Sequence, residues 1–342
     1  MLAEELEARG WTQAEFAEIL GRPAQVISEI MSGRKEITRD SAAQIAAALG
    51  TSAQLWLNHQ DIYHLWKQGQ DAGTRKQLDD VRLRARLNEL APLSVLRKRG
   101  LITGATPQEQ AAELCRLLEI DDIEQQPQLP MAARRSNVDE RPTPTQDTWL
   151  ACVRLQARQR QVANFSLDRL RDLAGNLSRM LRDPAAFETL PALLAEVGVV
   201  LVHVEAFPSS KIDGASFLLD GVPVIGLSGR GHRMDKVLFT LLHEIAHIVL
   251  DHIADGLIID EGDNHHLDRE KDADRLAREW ALPAPLPAAP ERIGQNWLTA
   301  VANSFGVHPI VVVGRLQNDG KLNWRSLLAK DAPTVTGFLR LW

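Results

Sequence analysis

Between Val237 and His252 the run VLFTLLHEIAHIVLDH sets two histidines and a glutamate inside otherwise apolar sequence. An apolar helix of this length belongs in a core. Buried bare, its polar groups would be costly, so they need partners or a metal. Four residues turn an α-helix through about 400°, so His243 and His247 project from one face, one turn apart. Both rings can reach one Zn²⁺ at about 2.0–2.1 Å. Glu244, next to the first histidine, is placed to take a proton from an attacking water.

Such a pair needs a third ligand. His252 lies five residues after His247, about 140° round the helix, and reads as a polar tip pointing elsewhere. His265 and His266 are further candidates in an acidic loop. Glu270 is better placed. It lies on the predicted helix DREKDADRLAREW, and Asp274 follows one turn later. The glutamate can bind the ion while the aspartate accepts a hydrogen bond from a ligand histidine. The competing reading of Glu270 is a solvated charge among Asp268, Arg269, Lys271 and Asp272. A purely structural zinc site usually closes with four protein ligands, whereas this set offers three and a base. An oxyanion-stabilising group is not evident. The single tyrosine, Tyr63, lies in another part of the chain, which leaves His232, Arg233 and His308.

Around this helix the C-terminal half reads as α+β. VGVVLVHV (197–204) is a buried strand. Two apolar runs flank Asp220-Gly221 within 215–227, a strong hairpin signal. An exposed edge of that hairpin beside the metal would accept an extended peptide by strand addition. A helical pair around ANSFGV and VVVGRLQNDG follows.

The first sixty residues read as five short helices. Gly10 ends the first. Thr12 to Glu15 form a capping box for the second, which breaks at Leu20. A third runs from about Ala24 to Met31, Thr38 caps a fourth that stops at Gly50, and Ser52 opens a fifth toward Trp56. Ala17 at the helix contact, Gly21 in the turn, and Ile27 and Ile30 as apolar anchors fit a helix-turn-helix. Gln25, Ser28 and Glu29 would then face the major groove. Gln13, at a helix N-terminus, would meet phosphate, and so would Arg22, Arg34, Lys35 and Arg39. The bland alternative is a helical bundle that uses the same turn for packing.

Charge separates the parts. The chain carries 39 basic and 45 acidic residues, net −6, which argues against a nucleic-acid binder over its whole surface but not against a local one. Residues 61–185 are net basic while both flanks are net acidic. They are mostly helical and polar. LITGATPQEQAAELCRLLEI is a capped amphipathic helix, 125–147 reads as a Pro-rich, mobile connection, and WLACVRLQARQRQV resumes a helix. Two cysteines, Cys115 and Cys152, without a CxxC spacing exclude a disulfide framework and a cysteine zinc site. The N-terminus lacks signal-peptide character and no apolar run is long enough to span a membrane, so a cytoplasmic location is expected.

Two resemblances add to this reading. The stretch WTQAEFAEILGRPAQVISEIMSGRKEITRDSAAQIAAALGTSAQLWLNHQDIY resembles the XRE-type repressor domain of HigA-like antitoxins. That implies double-stranded operator DNA as partner, usually bound by a homodimer. The segments GASFLLDGVPVIGL, DKVLFTLLHEIAHIVLDH and EKDADRLAREWALP resemble the ImmA/IrrE-type zinc metallopeptidase domain, with Leu276 where the family usually has Phe. WLACVRLQARQ and FGVHPIVVVGRLQNDGKLNW resemble flanking helices of its XRE-fused branch. The second resemblance implies a zinc cofactor, with manganese as the alternative ion. It also implies a protein substrate or partner, a repressor or a toxin. It leaves two functions open: cleavage of a partner regulator or of the chain itself, or a non-catalytic antitoxin-like sensor.

The expected fold is therefore mainly α with a small β-sheet. A helix-turn-helix domain would occupy 1–65, a helical connector 66–160, and an α+β zincin-like domain 161–342.

Overall fold

The computed structural model describes residues 1–127, 143–255 and 268–342, and the backbone alone of 134–135 and 258–260. It divides into two compact units, Met1–Leu83 and Arg84–Trp342.

The first unit holds α1 (Leu2–Arg9), α2 (Gln13–Ile19), α3 (Ala24–Met31), α4 (Arg39–Leu49) and α5 (Ala53–Gln70). Helix α6 (Ala72–Leu90) begins there and runs past the division. The boundaries follow the caps legible in the sequence. Thr12 and Glu15 form the reciprocal capping box, Thr38 and Ser52 cap α4 and α5, and Gly10 and Gly50 close α1 and α4 in the left-handed conformation. Phe16, Ile27, Ala42 and Ile45 are fully buried where these helices meet. Trp56 is buried as well, and its indole N–H donates to Thr51 Oγ1 at 2.8 Å. Helix α5 continues four turns beyond the point where the sequence reading left it.

The second unit contains α7 (Leu93–Lys98), α8 (Pro107–Leu118), α9 (Pro144–Ala157), α10 (Leu167–Met180), α11 (Leu190–Glu196), α12 (Met234–Val249), α13 (Asp268–Ala281), α14 (Gln295–Phe305), α15 (Pro309–Asn318) and α16 (Thr336–Leu339). Its strands are β1 (Arg134–Arg135), β2 (Val200–His203), β3 (Gly214–Leu219), β4 (Val222–Leu227) and β5 (Ile258–Asp260), in the spatial order β1-β5-β3-β4-β2. Strands β3 and β4 form the expected hairpin. Asp220 (φ 51°) and Gly221 (φ 82°) supply the two left-handed positions that a two-residue turn of the right twist demands. Strand β2 joins β4 in parallel.

The hairpin does not present the free edge expected beside the helix. Residues 258–260 pair antiparallel with 214–216 of β3, and 134–135 pair with β5 in turn. The outer strands are therefore β1 and β2.

Adjacent strand residues point to opposite faces, which makes this a three-layer unit. On one face α9 packs on β2 and β4, with Trp149 fully buried and donating from Nε1 to Val204 O at 2.7 Å. On the other, Ile225 and Leu227 join a core with Leu238, Leu241 and Ile245 of α12. Helix α9, capped by Thr143, starts inside the segment read as a mobile connection. The rest of that segment, 128–133 and 136–142, lies outside the described residues, apart from the backbone of β1. Among the described residues no single helix is long and apolar enough to cross a membrane. The fold is thus mainly helical with one small sheet, with helix-turn-helix helices first and an α+β region after.

Candidate metal centre and DNA-binding face

Helix α12 is the centre of the second unit. Thirteen of its sixteen residues are buried, and it packs against α10, α13, α15 and the sheet. Its start is fixed from both sides. Met234 N–H donates to Pro333 O at 2.9 Å, while the Arg233 guanidinium holds Asp235 Oδ1 at 2.9 Å and Gln317 Oε1 at 3.0 Å.

One helical turn apart, His243 and His247 aim their Nε2 atoms at one point, 2.9 Å from each other. Glu270, on the first turn of α13, brings Oε2 to 3.2 Å from His243 Nε2 and 3.6 Å from His247 Nε2. All three residues are buried. A tetrahedral ion with bonds of about 2.0–2.1 Å keeps its ligand atoms about 3.3–3.4 Å apart, close to these separations. Two imidazoles and one carboxylate also suit a divalent ion of the zinc or manganese kind. The group can therefore hold a metal ion.

The surroundings reinforce the set. Asp274 Oδ1 lies 3.0 Å from His243 Nδ1, which places the ring proton there and leaves Nε2 to ligate. Its other oxygen is 3.5 Å from Arg278 Nη2. Burial pushes the Glu270 carboxyl up, but hydrogen bonds and charge from His243 and His247 outweigh it and hold the group at about 2. The carboxylate is thus ionised across the physiological range. Glu244 is fully buried, with its carboxylate against the backbone of β3 at Gly214.

His252 does not point away. Helix α12 stops at Val249, Asp251 adopts a left-handed φ of 58°, and a 3₁₀ turn begins at His252. The ring is brought back so that its Nδ1 lies 2.9 Å from His247 Nδ1. The 140° projection fails because it extends an α-helix past the point where the chain leaves it. Burial, with His247 and Arg269 nearby, pushes His252 down to about 4, so the ring is neutral at pH 7. His265 and His266 lie outside the described residues.

Of the groups considered for an oxyanion, Arg233 is held by Asp235 and Gln317. His308 caps α15, its Nδ1 accepting from Ile310 N–H at 3.1 Å. His232 is exposed and left-handed (φ 54°), and Tyr63 belongs to the first unit.

In the first unit the turn is built as expected. Ala17 is buried, Gly21 takes φ 64°, and Arg22 N–H closes on Ala17 O at 2.9 Å. Ile27 and Ile30 anchor α3. Gln13 and Gln25 are exposed, while Ser28 and Glu29 are half-buried. Gln25 Nε2 donates to Glu29 Oε1 at 2.9 Å, so these two groups engage each other along α3. Arg22 is half-buried and hydrogen-bonded to Gln44 Oε1. Arg34 and Lys35 are exposed, and their N–H groups are tied to Glu29 O at 2.9 and 3.1 Å.

Two known families match parts of the chain. A helix-turn-helix family matches residues 2–56, and the Peptidase U49 family matches residues 234–302, a span that includes His243, Glu244, His247, Glu270 and Asp274. No curated protein and no solved structure matches the chain. The chain thus joins an N-terminal helix-turn-helix of the kind found in DNA-binding regulators to a C-terminal peptidase-family domain whose buried His-His-Glu group can hold a metal ion.

Proposed function

We propose that this chain is a transcriptional regulator carrying a zinc-dependent peptidase, which cleaves a partner regulator, or the chain itself, and so switches transcription. The observation that carries this reading is the convergence of His243 Nε2, His247 Nε2 and Glu270 Oε2 within 4.8 Å of one another, beside the buried Glu244. His243, His247 and Glu270 would be the ligands, with Asp274 orienting His243. A bound zinc, or manganese, would supply Lewis acidity toward a scissile carbonyl. Glu244 would take the proton of the attacking water and pass it to the leaving amine.

Residues 1–65 would bind a double-stranded operator as a homodimer, with Gln25, Ser28 and Glu29 toward the bases and Gln13, Arg22, Arg34 and Lys35 toward phosphates. Residues 66–160 would act as a connector and 161–342 as the peptidase domain. The resemblances to HigA-like repressors and to ImmA/IrrE-type peptidases support this division, and a cytoplasmic location goes with it.

One observation favours a second reading, an antitoxin-like repressor whose peptidase-like domain only binds a partner. The strand edge beside Glu244 is already paired with β5. The deciding experiment incubates wild type and Glu244→Gln with co-encoded regulators plus zinc or manganese, and maps fragments by mass spectrometry. Fragments from wild type alone are expected. Equal fragments from both would mean a contaminating protease, and none from either would leave the non-catalytic regulator.

A further inference from the structure

The two histidines of the metal-binding group are braced differently. His243 leans on a carboxylate, Asp274, itself in contact with Arg278. His247 leans on another imidazole. Its Nδ1 is 2.9 Å from Nδ1 of His252, and the two ring centroids are 5.2 Å apart. The chain makes a specific detour to achieve this, since the left-handed Asp251 ends α12 and swings His252 back over the last turn.

A hydrogen bond between two Nδ1 atoms needs one to carry the proton and the other to accept it. If His252 donated, His247 would carry its own proton on Nε2, the atom facing His243 and Glu270, and could not ligate there. Ligation by His247 Nε2 requires the opposite arrangement, in which His247 Nδ1–H donates to Nδ1 of His252. We infer that His252 is a positioning residue that fixes the ring orientation and tautomer of His247 so that its Nε2 lone pair faces the metal.

This inference rests on the reading of His243, His247 and Glu270 as metal ligands. The interaction asks only for an acceptor at the Nδ1 position, which an asparagine Oδ1 can supply and a leucine cannot.

The test uses the full chain, stripped of metal and titrated with zinc against a chromophoric chelator of known affinity, with thermal melting of the metal-free protein alongside. His252→Ala and His252→Leu should bind zinc about 10–100-fold more weakly than wild type. His252→Asn should stay within a few-fold of wild type, and all three should melt like wild type without metal. Glu270→Gln should weaken zinc binding more than any of them.

Wild-type affinity in both the alanine and the leucine variant would overturn the inference. So would an equal loss in all three variants accompanied by lower metal-free melting, which marks a packing role. A loss in His252→Ala as complete as in Glu270→Gln would make His252 a ligand instead. Failure of wild type to bind zinc would overturn the metal reading itself, and this inference with it.

Discussion

Gly214 stands so close to Glu244 that a β-carbon on the glycine would lie 2.7 Å from Oε1 of the glutamate and 3.1 Å from its Cγ. The same β-carbon would come within 3.0 Å of Thr240 Cγ2. Strand β3 can approach α12 here only because position 214 has no side chain, and the gap is filled by the carboxylate. Gly214→Ala must therefore displace Glu244 in a site with no spare room. We expect a stability loss of about 1–3 kcal/mol from overpacking, read by urea denaturation. Zinc stoichiometry should be preserved, because the atoms nearest that β-carbon belong to Glu244 and Thr240 and not to His243, His247 or Glu270. Any peptidase activity should fall with Glu244's displacement.

Metal binding should also be visible as stability. The centre gathers Glu244, Glu270 and Asp274, all buried, around two buried histidines, and a divalent cation offsets that negative charge. Purified protein should contain about one zinc per chain. Chelation should lower the melting temperature, and added zinc should restore it in proportion to the logarithm of its free concentration. Glu270→Gln should abolish most of this response. Asp274→Ala should reduce zinc affinity by about 10–100-fold, because no side chain at position 274 would then accept the His243 Nδ1 proton.

Much of this centre was legible in the sequence. Helical period alone put His243 and His247 on one face, and the spacing of Glu270 and Asp274 on a second amphipathic helix pointed to the third member of the group and to the carboxylate that contacts His243. What escaped depends on contacts that no local pattern encodes. His252 was misplaced because one left-handed residue, Asp251, ends the periodicity used to project it. The covered edge of β3 was missed because β5 and β1 are three and two residues long, too short to show alternation, and come from polar connecting segments. Gly214 gave no signal because its constraint comes from Glu244, thirty residues away in sequence. The helix-turn-helix was legible down to its caps, which are local by nature. The Gln25–Glu29 hydrogen bond was not read, although its i,i+4 spacing made it available.

That hydrogen bond bears on DNA recognition. Gln25 is the exposed member of the pair, and Glu29 accepts its amide at 2.9 Å, which orients the glutamine along α3. If Gln25 reads a base, Gln25→Ala should cost about 1–3 kcal/mol at one base position and little elsewhere. Glu29→Ala should relax specificity at that same position, since it frees the Gln25 amide from its support. Arg34 is exposed just beyond α3. Arg34→Ala should instead weaken binding to all sequences and reduce the salt slope by about one unit. Gel-shift titrations on a randomised operator at several salt concentrations separate the three outcomes.

The two cysteines should differ sharply in reactivity. Cys152 sits on α9, buried under the sheet, and burial pushes its thiol up to about 12, outweighing the nearby Arg99 that draws it down. Cys115 on α8 is partly exposed; its thiol is raised by burial and then by Asp122 and Asp121. The thiolate is the reactive form, so at pH 8 a thiol reagent should label Cys115 in the native protein and leave Cys152 untouched until the second unit unfolds. Labelling of Cys152 in increasing urea, read by mass spectrometry, then reports the opening of that unit alone. The raised value also carries a sign for stability. The folded state keeps the Cys152 proton where the unfolded chain releases it. The contribution is therefore complete below the ordinary thiol range near pH 9 and is lost as pH rises toward 12, by about 1.4 kcal/mol per unit. Urea midpoints of wild type should decline over that interval more steeply than those of Cys152→Ala. Parallel declines in the two proteins would place the alkaline sensitivity elsewhere in the chain.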